Sequence, residues 1–274
     1  MPLSLDAAIS GMVTQQKNID LIANNLANVN TTGYKRAKIH FEDTLNAASI
    51  ASAISGTQQQ DQEQTSTSAG VTVSGITRDF GQGALQPSGR QLDFAINGDG
   101  FFRIKLDDGQ MAYTRNGVFG IDGAGKVTTQ SGELLDPPLQ LPEKFQHLRF
   151  EDDGSVTVMR PYTDEELQAL GEFEARDGKR EAVGQINIVR FLNPSGLEAI
   201  GNSLYRETAE SQPPIEGVPG QDGLGTVHSG WLESSNVDIA TEMTGLVFAK
   251  RGFQLNLVAY KTIEEMLKQV NQVQ

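Results

Sequence analysis

The residues best equipped for chemistry are Gly120-Ile121-Asp122-Gly123-Ala124-Gly125-Lys126, which fit the G-x-x-x-x-G-K spacing of a phosphate-cradling loop. Such a loop next needs a Ser or Thr hydroxyl for Mg²⁺, then a helix whose N-terminus meets phosphate. Val127 has no hydroxyl, and Thr128-Thr129-Gln130-Ser131-Gly132 are poor helix formers. Asp122-Gly123 instead predicts a hairpin turn between strands at Val118–Ile121 and Lys126–Thr129. The histidines, His40, His147 and His228, lie far apart without ligand spacing, and none belongs to a recognisable nucleophile motif. Glu151-Asp152-Asp153 and Asp164-Glu165-Glu166 lack the spaced oxygen ligands of an EF-hand loop, so solvated faces or turns account for them. The chain has no cysteine, which excludes disulfides and thiolate metal sites. The residues therefore predict no enzyme, with no catalytic, cofactor-binding or metal-binding residue and no cofactor.

The strongest patterning lies at the two ends. Leu5, Met12, Ile19 and Leu26 recur every seven positions, and so do Ile239, Leu246, Phe253, Tyr260 and Leu267. That spacing keeps one seam of a helix apolar, and such a seam needs a partner helix to cover it. Residues 3–29 predict one amphipathic helix capped by Ser4. Ala8 or Ile9 and Ile22 or Ala23 help fill its second row, which Gln15 and Gln16 interrupt. It should end within Asn28-Val29-Asn30-Thr31-Thr32-Gly33. A second helix should begin near Ser235 or Asn236, with Asp238 in its first turn. Core helices of an ordinary monomer would show the same periodicity. Lys250, Arg251, Gln254, Asn256, Lys261, Lys268 and Gln269, on several sides of the second seam, weaken that alternative.

The middle reads as short strands and glycine turns. Strands are predicted at Val71–Phe80, Gln91–Ile96, Phe101–Leu106, Met111–Arg115, Val118–Ile121, Leu148–Glu151, Val156–Met159 and Gln185–Leu192. Asn97-Gly98-Asp99-Gly100, Asp107-Asp108-Gly109, Asn116-Gly117 and Asp152-Asp153-Gly154 supply turns between them. The small, polar stretch 46–70 suits a linker, or a wall segment that orders on assembly. Tyr162–Arg180 is charged and predicts a short helix, with Thr163 and Glu166 at capping-box spacing. The expected fold is mixed α and β. The N- and C-terminal helices pair as a coiled coil, and the central domain is mainly antiparallel β, barrel or sandwich-like. The expected divisions are 1–45 and 231–274 as two parts of a helical core, 46–70 as the polar segment, and 71–230 as a β-rich outer domain.

At 274 residues the chain suits one or two domains. Its net charge of −13 argues against nucleic acid and against an anionic membrane surface. Residues 1–45 carry four basic and four acidic side chains, and 231–274 carry four and five, so the middle holds nearly all of the excess. Near-neutral ends suit burial against copies of themselves, and an acidic middle suits a solvated wall. The N-terminal residues lack the basic start and long apolar stretch of a cleaved signal peptide. That trace fits a cytoplasmic protein, and equally an uncleaved export route.

Asn24-Asn25-Leu26-Ala27-Asn28-Val29-Asn30-Thr31-Thr32-Gly33-Tyr34-Lys35-Arg36 strongly resembles the N-terminal signature of the bacterial flagellar rod and hook protein family. The resemblance continues through Ala95–Phe102, Tyr113–Gly117, Phe191–Leu197 and Gly230–Val237, in the family's order. Within the family the chain is most similar to distal rod members, through its length and the segment Asn193–Gly223, with proximal rod members as the alternative. Departures lie in the longer segment Tyr162–Arg180 and in Leu257-Val258, which make the last helix more apolar than the family pattern. The resemblance implies a structural subunit that polymerises into a rigid hollow tube, transmits torque to the hook and lets exported subunits pass. Its partners would be many copies of itself, proximal rod and hook proteins at the two ends, and a surrounding ring, with no nucleic acid and no small-molecule substrate. Its place would be the basal body outside the inner membrane. The two seven-residue rows would form the subunit interface, and Asn24, Asn25, Asn28, Asn30 and Gly33 the helix-end turn. A stand-alone exported β-domain that binds a ligand or surface is the competing class.

Overall fold

Two of the described helices bracket the chain, and each begins for a local reason. The computed structural model describes residues 2–44, 70–142, 147–160 and 179–272. Helix α1 spans Pro2–Ala27 and helix α2 spans Ile239–Gln272. Pro2 stands in the first turn of α1, where its missing N–H costs nothing, so the helix starts before Ser4, the expected cap. At its other end the Asn28 N–H reaches the carbonyls of Asn24 and Asn25, and the Asn28 side-chain amide donates to the Asn24 carbonyl at 2.9 Å. Helix α2 starts later than Ser235 or Asn236 because Asp238 caps it. The Asp238 carboxylate accepts from the N–H groups of Ala240 and Thr241 at 3.3 and 3.2 Å. A hydrogen bond from the Thr241 hydroxyl is the main cause that holds this carboxyl below its usual range.

The chain divides into two compact units. The first comprises Met1–Asn28, Arg36–Asp79 and Val237–Gln274, and contains both helices. It also holds an antiparallel ribbon of β1 (Ala37–Thr44) and β2 (Gly70–Arg78), in register from Ala37↔Arg78 to Thr44↔Gly70. Strand β2 thus pairs outside the sheets of the expected outer domain. Its partner β1 carries an alternating signal, Lys38-Ile39-His40-Phe41, and lies outside the expected strands. The expected linker 46–70 lies almost wholly outside the described residues. Its flanks, Thr44 and Gly70, are cross-strand partners, so the chain leaves and re-enters the ribbon at one end.

Helices α1 and α2 run antiparallel, with glycines at the contact. Gly11 lies against Asn256, Gln15 against Gly252 and Ile22 against Gly245, and Asn25 bonds Glu242. A Cβ on Gly11 would come within 2.7 Å of the Asn256 amide. Small residues here let the two backbones approach more closely than leucine-lined helices can.

The second unit comprises Val29–Lys35 and Phe80–Asn236. Its largest sheet has nine antiparallel strands, seven of them in one path: Glu198–Gly201, Leu204–Arg206, Met111–Thr114, Phe101–Lys105, Leu134–Leu135, Val127–Thr129 and Phe119–Ile121. Ile188–Arg190 joins beside Phe101-Phe102 and carries Ile215–Gly217. The end strands do not pair with each other, so the sheet is open and the closed-barrel option is excluded. Alternation feeds two cores. Phe102, Ile104, Ala112 and Ile188 pack with Phe94, Phe119 and Leu135, whereas Phe101, Tyr113 and Val189 pack with Phe191, Leu197 and Tyr205. A three-stranded sheet, His147–Phe150, Ser155–Arg160 and Lys179–Gln185, adds Leu148, Val156 and Val158 to the first core. Arg160 pairs with Lys179 across the charged insertion, whose expected helix lies outside the described residues.

The Asn116-Gly117 turn sets a strict steric limit. A Cβ on Gly117 would sit 1.5 Å from the Phe94 carbonyl oxygen, and the Phe94 N–H bonds the Gly117 carbonyl at 2.9 Å. We expect Gly117→Ala to cost at least about 2 kcal/mol by overpacking, which thermal melts would register as a drop of roughly 5 °C or more. An unchanged melting temperature would refute this close approach.

Candidate assembly interface

Most of the described residues with apparent chemistry resolve into turns or surface contacts. The Asp122 carboxylate accepts from the N–H groups of Ala124 and Lys126 at 2.9 and 2.8 Å, closing the hairpin between Phe119–Ile121 and Val127–Thr129. A strand, not a helix, follows Lys126, so the phosphate-loop geometry is missing at this position. His40 meets the Thr77 hydroxyl at 2.7 Å, and His228 lies between Asp152 and Thr226 at 3.0 and 3.1 Å. The Asp153 carboxylate accepts from the Ser155 N–H, which holds its carboxyl below the usual range. Asp164-Glu165-Glu166 lies outside the described residues. Among the described residues, no group of three His, Asp or Glu side chains is placed to hold a metal ion. No described helix is long and apolar enough to cross a membrane.

What the structure does present is an apolar helix surface. The rows Leu5, Met12, Ile19, Leu26 and Leu246, Phe253, Tyr260, Leu267 are all half-buried, while Ile239 is 48% exposed. The most buried positions of the helix pair lie beside these rows: Ala8, Thr14, Ile22 and Asn25 on α1, Glu242 and Ala249 on α2. The fold of a single chain therefore already half-covers the expected seams. A different set remains open on α2: Met243 55%, Val247 50%, Phe248 66%, Leu255 70%, Val258 61% and Met266 52% exposed. Ile9 and Val13 of α1 are also exposed. At 100° per residue, Phe248, Leu255 and Met266 fall on one stripe, Val247 and Val258 lie about a quarter turn to one side of it, and Met243 lies further round the helix. The sequence signal for this second face was an excess of apolar residues in α2 beyond what one seam requires.

The helix-end motif is built around one buried amide and a buried carboxylate. Asn25 is buried, and its side chain both donates to the Ala37 carbonyl at 2.9 Å and accepts from the Ala37 N–H at 3.0 Å. It also donates to Glu242 at 3.2 Å, whose carboxylate forms an ion pair with Arg36 at 2.5 Å. The end of α1, the start of β1 and the first turn of α2 are thereby joined. Asn28 is half-buried, and Asn24 and Asn30 are exposed.

Within the second unit, Gly33 adopts φ +67°, and a Cβ there would lie 2.5 Å from the Asn116 nitrogen, so the position requires glycine. The Gly33 N–H donates to the Glu233 carbonyl at 2.8 Å. Next to it, buried Lys35 donates to the Glu233 carboxylate at 2.6 Å, and buried Arg115 reaches the same carboxylate at 3.2 Å. Burial lowers the pKa of Arg115, and Glu233 opposes that shift. The sequence marked Lys35, Arg115 and Glu233 as members of separate motifs. Nothing in their local spacing announced that they meet.

Three family models match the chain. A flagella basal body rod protein model covers residues 5–35, a flagellar hook protein FlgE/F/G D1 domain covers 95–158, and a flagellar basal body rod FlgEFG protein C-terminal model covers 228–273. The flagellar basal-body rod protein FlgG of Borreliella burgdorferi is 37% identical over 270 residues, 97% of either chain. That of Bacillus subtilis is 38% identical over 276 residues, again 97% of each. The flagellar basal-body rod protein FlgF of Caulobacter vibrioides is 30% identical over 261 residues, 93% of this chain and 90% of that one.

Proposed function

Because the chain belongs to the flagellar hook and basal-body rod protein family, we propose that it is a structural subunit of the rod, FlgG-like rather than FlgF-like, and that it works without chemistry. Its likeness to FlgG proteins is end to end, at 34–38% identity against 30% for the FlgF protein. The single observation that carries the mechanism is the open apolar face of α2, with Phe248 and Leu255 at 66% and 70% exposed. Burying two such side chains is worth roughly 1.5–3 kcal/mol each. A polymer repeats that gain at every copy through a heterologous contact along a screw axis.

In this reading the helix pair of each copy packs against those of its neighbours around a hollow core. The α1–α2 rows Leu5–Leu26 and Leu246–Leu267 hold each copy rigid, and the second face of α2 joins copies. Torque then passes through packed helices, while exported subunits travel along the channel. The acidic middle suits the outer wall, towards a surrounding ring. Proximal rod and hook proteins adjoin the two ends, in the basal body outside the inner membrane, with export that needs no cleaved signal. Electron cryotomography of basal bodies in a strain lacking this chain tests it. We expect a short rod stump without a hook. Loss of the rod nearer the membrane would make the chain a proximal subunit, and intact rotating flagella would bring forward the binding-domain alternative.

A further inference from the structure

Three stretches that carry the family resemblance, Ala95–Phe102, Tyr113–Gly117 and Phe191–Leu197, meet around one cavity of about 240 Å³ in the second unit. Asp99 and Phe101 come from the first stretch, Arg115 from the second, Phe191 and Leu192 from the third, and Arg190 lies beside them. The volume is below the roughly 300–1,000 Å³ of small-molecule pockets, and suits one or two protein side chains. Its walls are aromatic, with Phe101 and Phe191 edge to face at 5.8 Å.

The two guanidinium groups differ. Arg115 is committed, to Glu233, to the Gly98 carbonyl at 2.9 Å and to the Phe101 ring at 5.2 Å. Arg190 is half-buried and its Nε, shielded from solvent, has no hydrogen-bond partner. The lining carries Arg115 and Arg190 against Asp99, and Glu233, which answers Arg115, is shared with Lys35, so Arg190 is left without a matching carboxylate. Beside it Leu192 is 64% exposed. Arginine and aromatic groups around a partly formed pocket are the usual anchors of protein contacts.

We infer that this cavity is a socket for a carboxylate and an adjoining apolar side chain from a second copy of this chain. The occupant follows from charge. The chain carries −13, most of it in this middle part, so each copy in a polymer offers its neighbour carboxylates, one of which the planar fork of Arg190 can hold through two N–H groups. Leu192 then packs on the incoming apolar group. This assignment rests on the rod-subunit reading and gives it a contact outside the helices.

The test places the photo-crosslinking residue benzoylphenylalanine at position 192 of the full chain, in cells, and isolates basal bodies after irradiation. We expect a crosslink to a second copy, reduced at least fivefold by Arg190→Glu and retained by Arg190→Lys. In parallel, Leu192→Cys supplies the sole thiol of a cysteine-free chain. It should react with a maleimide at least tenfold more slowly in basal bodies than in the free chain. A crosslink to a different protein, or an incorporated chain whose thiol stays fully reactive, would overturn the socket alone. Absence of the unsubstituted chain from basal bodies would instead overturn the rod reading, and the socket with it.

Discussion

Phe248→Asp combined with Leu255→Asp should leave the chain folded and abolish the rod. Both side chains are largely solvated in the single chain, so each substitution should shift stability by no more than about 0.5 kcal/mol. In a polymer the same positions lose two apolar burials and gain two carboxylates that must be desolvated. The loss repeats at each subunit, so assembly should fail completely rather than weaken. Circular dichroism and melting of the purified variant should match the parent within about 4 °C, while motility and hook formation disappear. Normal rods built from this variant would exclude the second face of α2 as the joining surface. Leu26→Asp and Leu246→Asp should also block assembly and spare the β-rich unit. They should do so differently, because both residues are half-buried in the single chain. Those variants should loosen the α1–α2 pair, visible as lost helical signal in the free chain.

That contrast shows why the helices were legible and their faces were not. A seven-residue apolar row says that a partner helix exists, but not whether it belongs to the same chain. Here α2 carries both kinds of row, and the glycines Gly11, Gly245 and Gly252 decide which one α1 takes. The hairpins were legible wherever an Asp-Gly or Asn-Gly turn closes locally, as at Asp122-Gly123. Strand β1 was not, because its partner β2 follows only after a long insertion, and sequence offers no register across such a gap. Asn25 was recognisable as a helix-end residue by type. Its partners, the Ala37 backbone and Glu242, lie twelve and 217 positions away, and no spacing rule reaches the second. The same holds for Lys35 and Glu233, separated by 198 positions.

Glu233→Gln should be among the most damaging single substitutions in the second unit. Its carboxylate is 1% exposed and accepts from Lys35 at 2.6 Å, from Arg115 at 3.2 Å and from the Gly83 N–H at 2.8 Å. Lys35 also donates to the Gly81 carbonyl at 2.9 Å. Neutralising Glu233 leaves two cations in a site with almost no access to water. Breaking one side of such a buried pair costs roughly 3–5 kcal/mol, a large share of the 5–15 kcal/mol that holds a typical protein folded. A fall in melting temperature on the order of 10 °C follows for a unit of this size. Lys35→Met should cost less, because Arg115 still answers the carboxylate. Adding Lys35→Met to Glu233→Gln should recover part of the loss by removing one unpaired cation. That recovery separates an ionic clasp from simple packing, since two packing defects in contact would have no charge to relieve. If Glu233→Gln melted within about 2 °C of the parent, the clasp would not be what holds Thr31–Lys35 in place. Its position gives the cost a functional direction. Gly33 hangs on the Glu233 carbonyl by its N–H, so the carboxylate and the backbone of one residue fix the same short stretch. Losing the carboxylate should therefore loosen the segment that follows the end of α1, raising hydrogen exchange at Gly33 and Tyr34 before the sheet core itself opens.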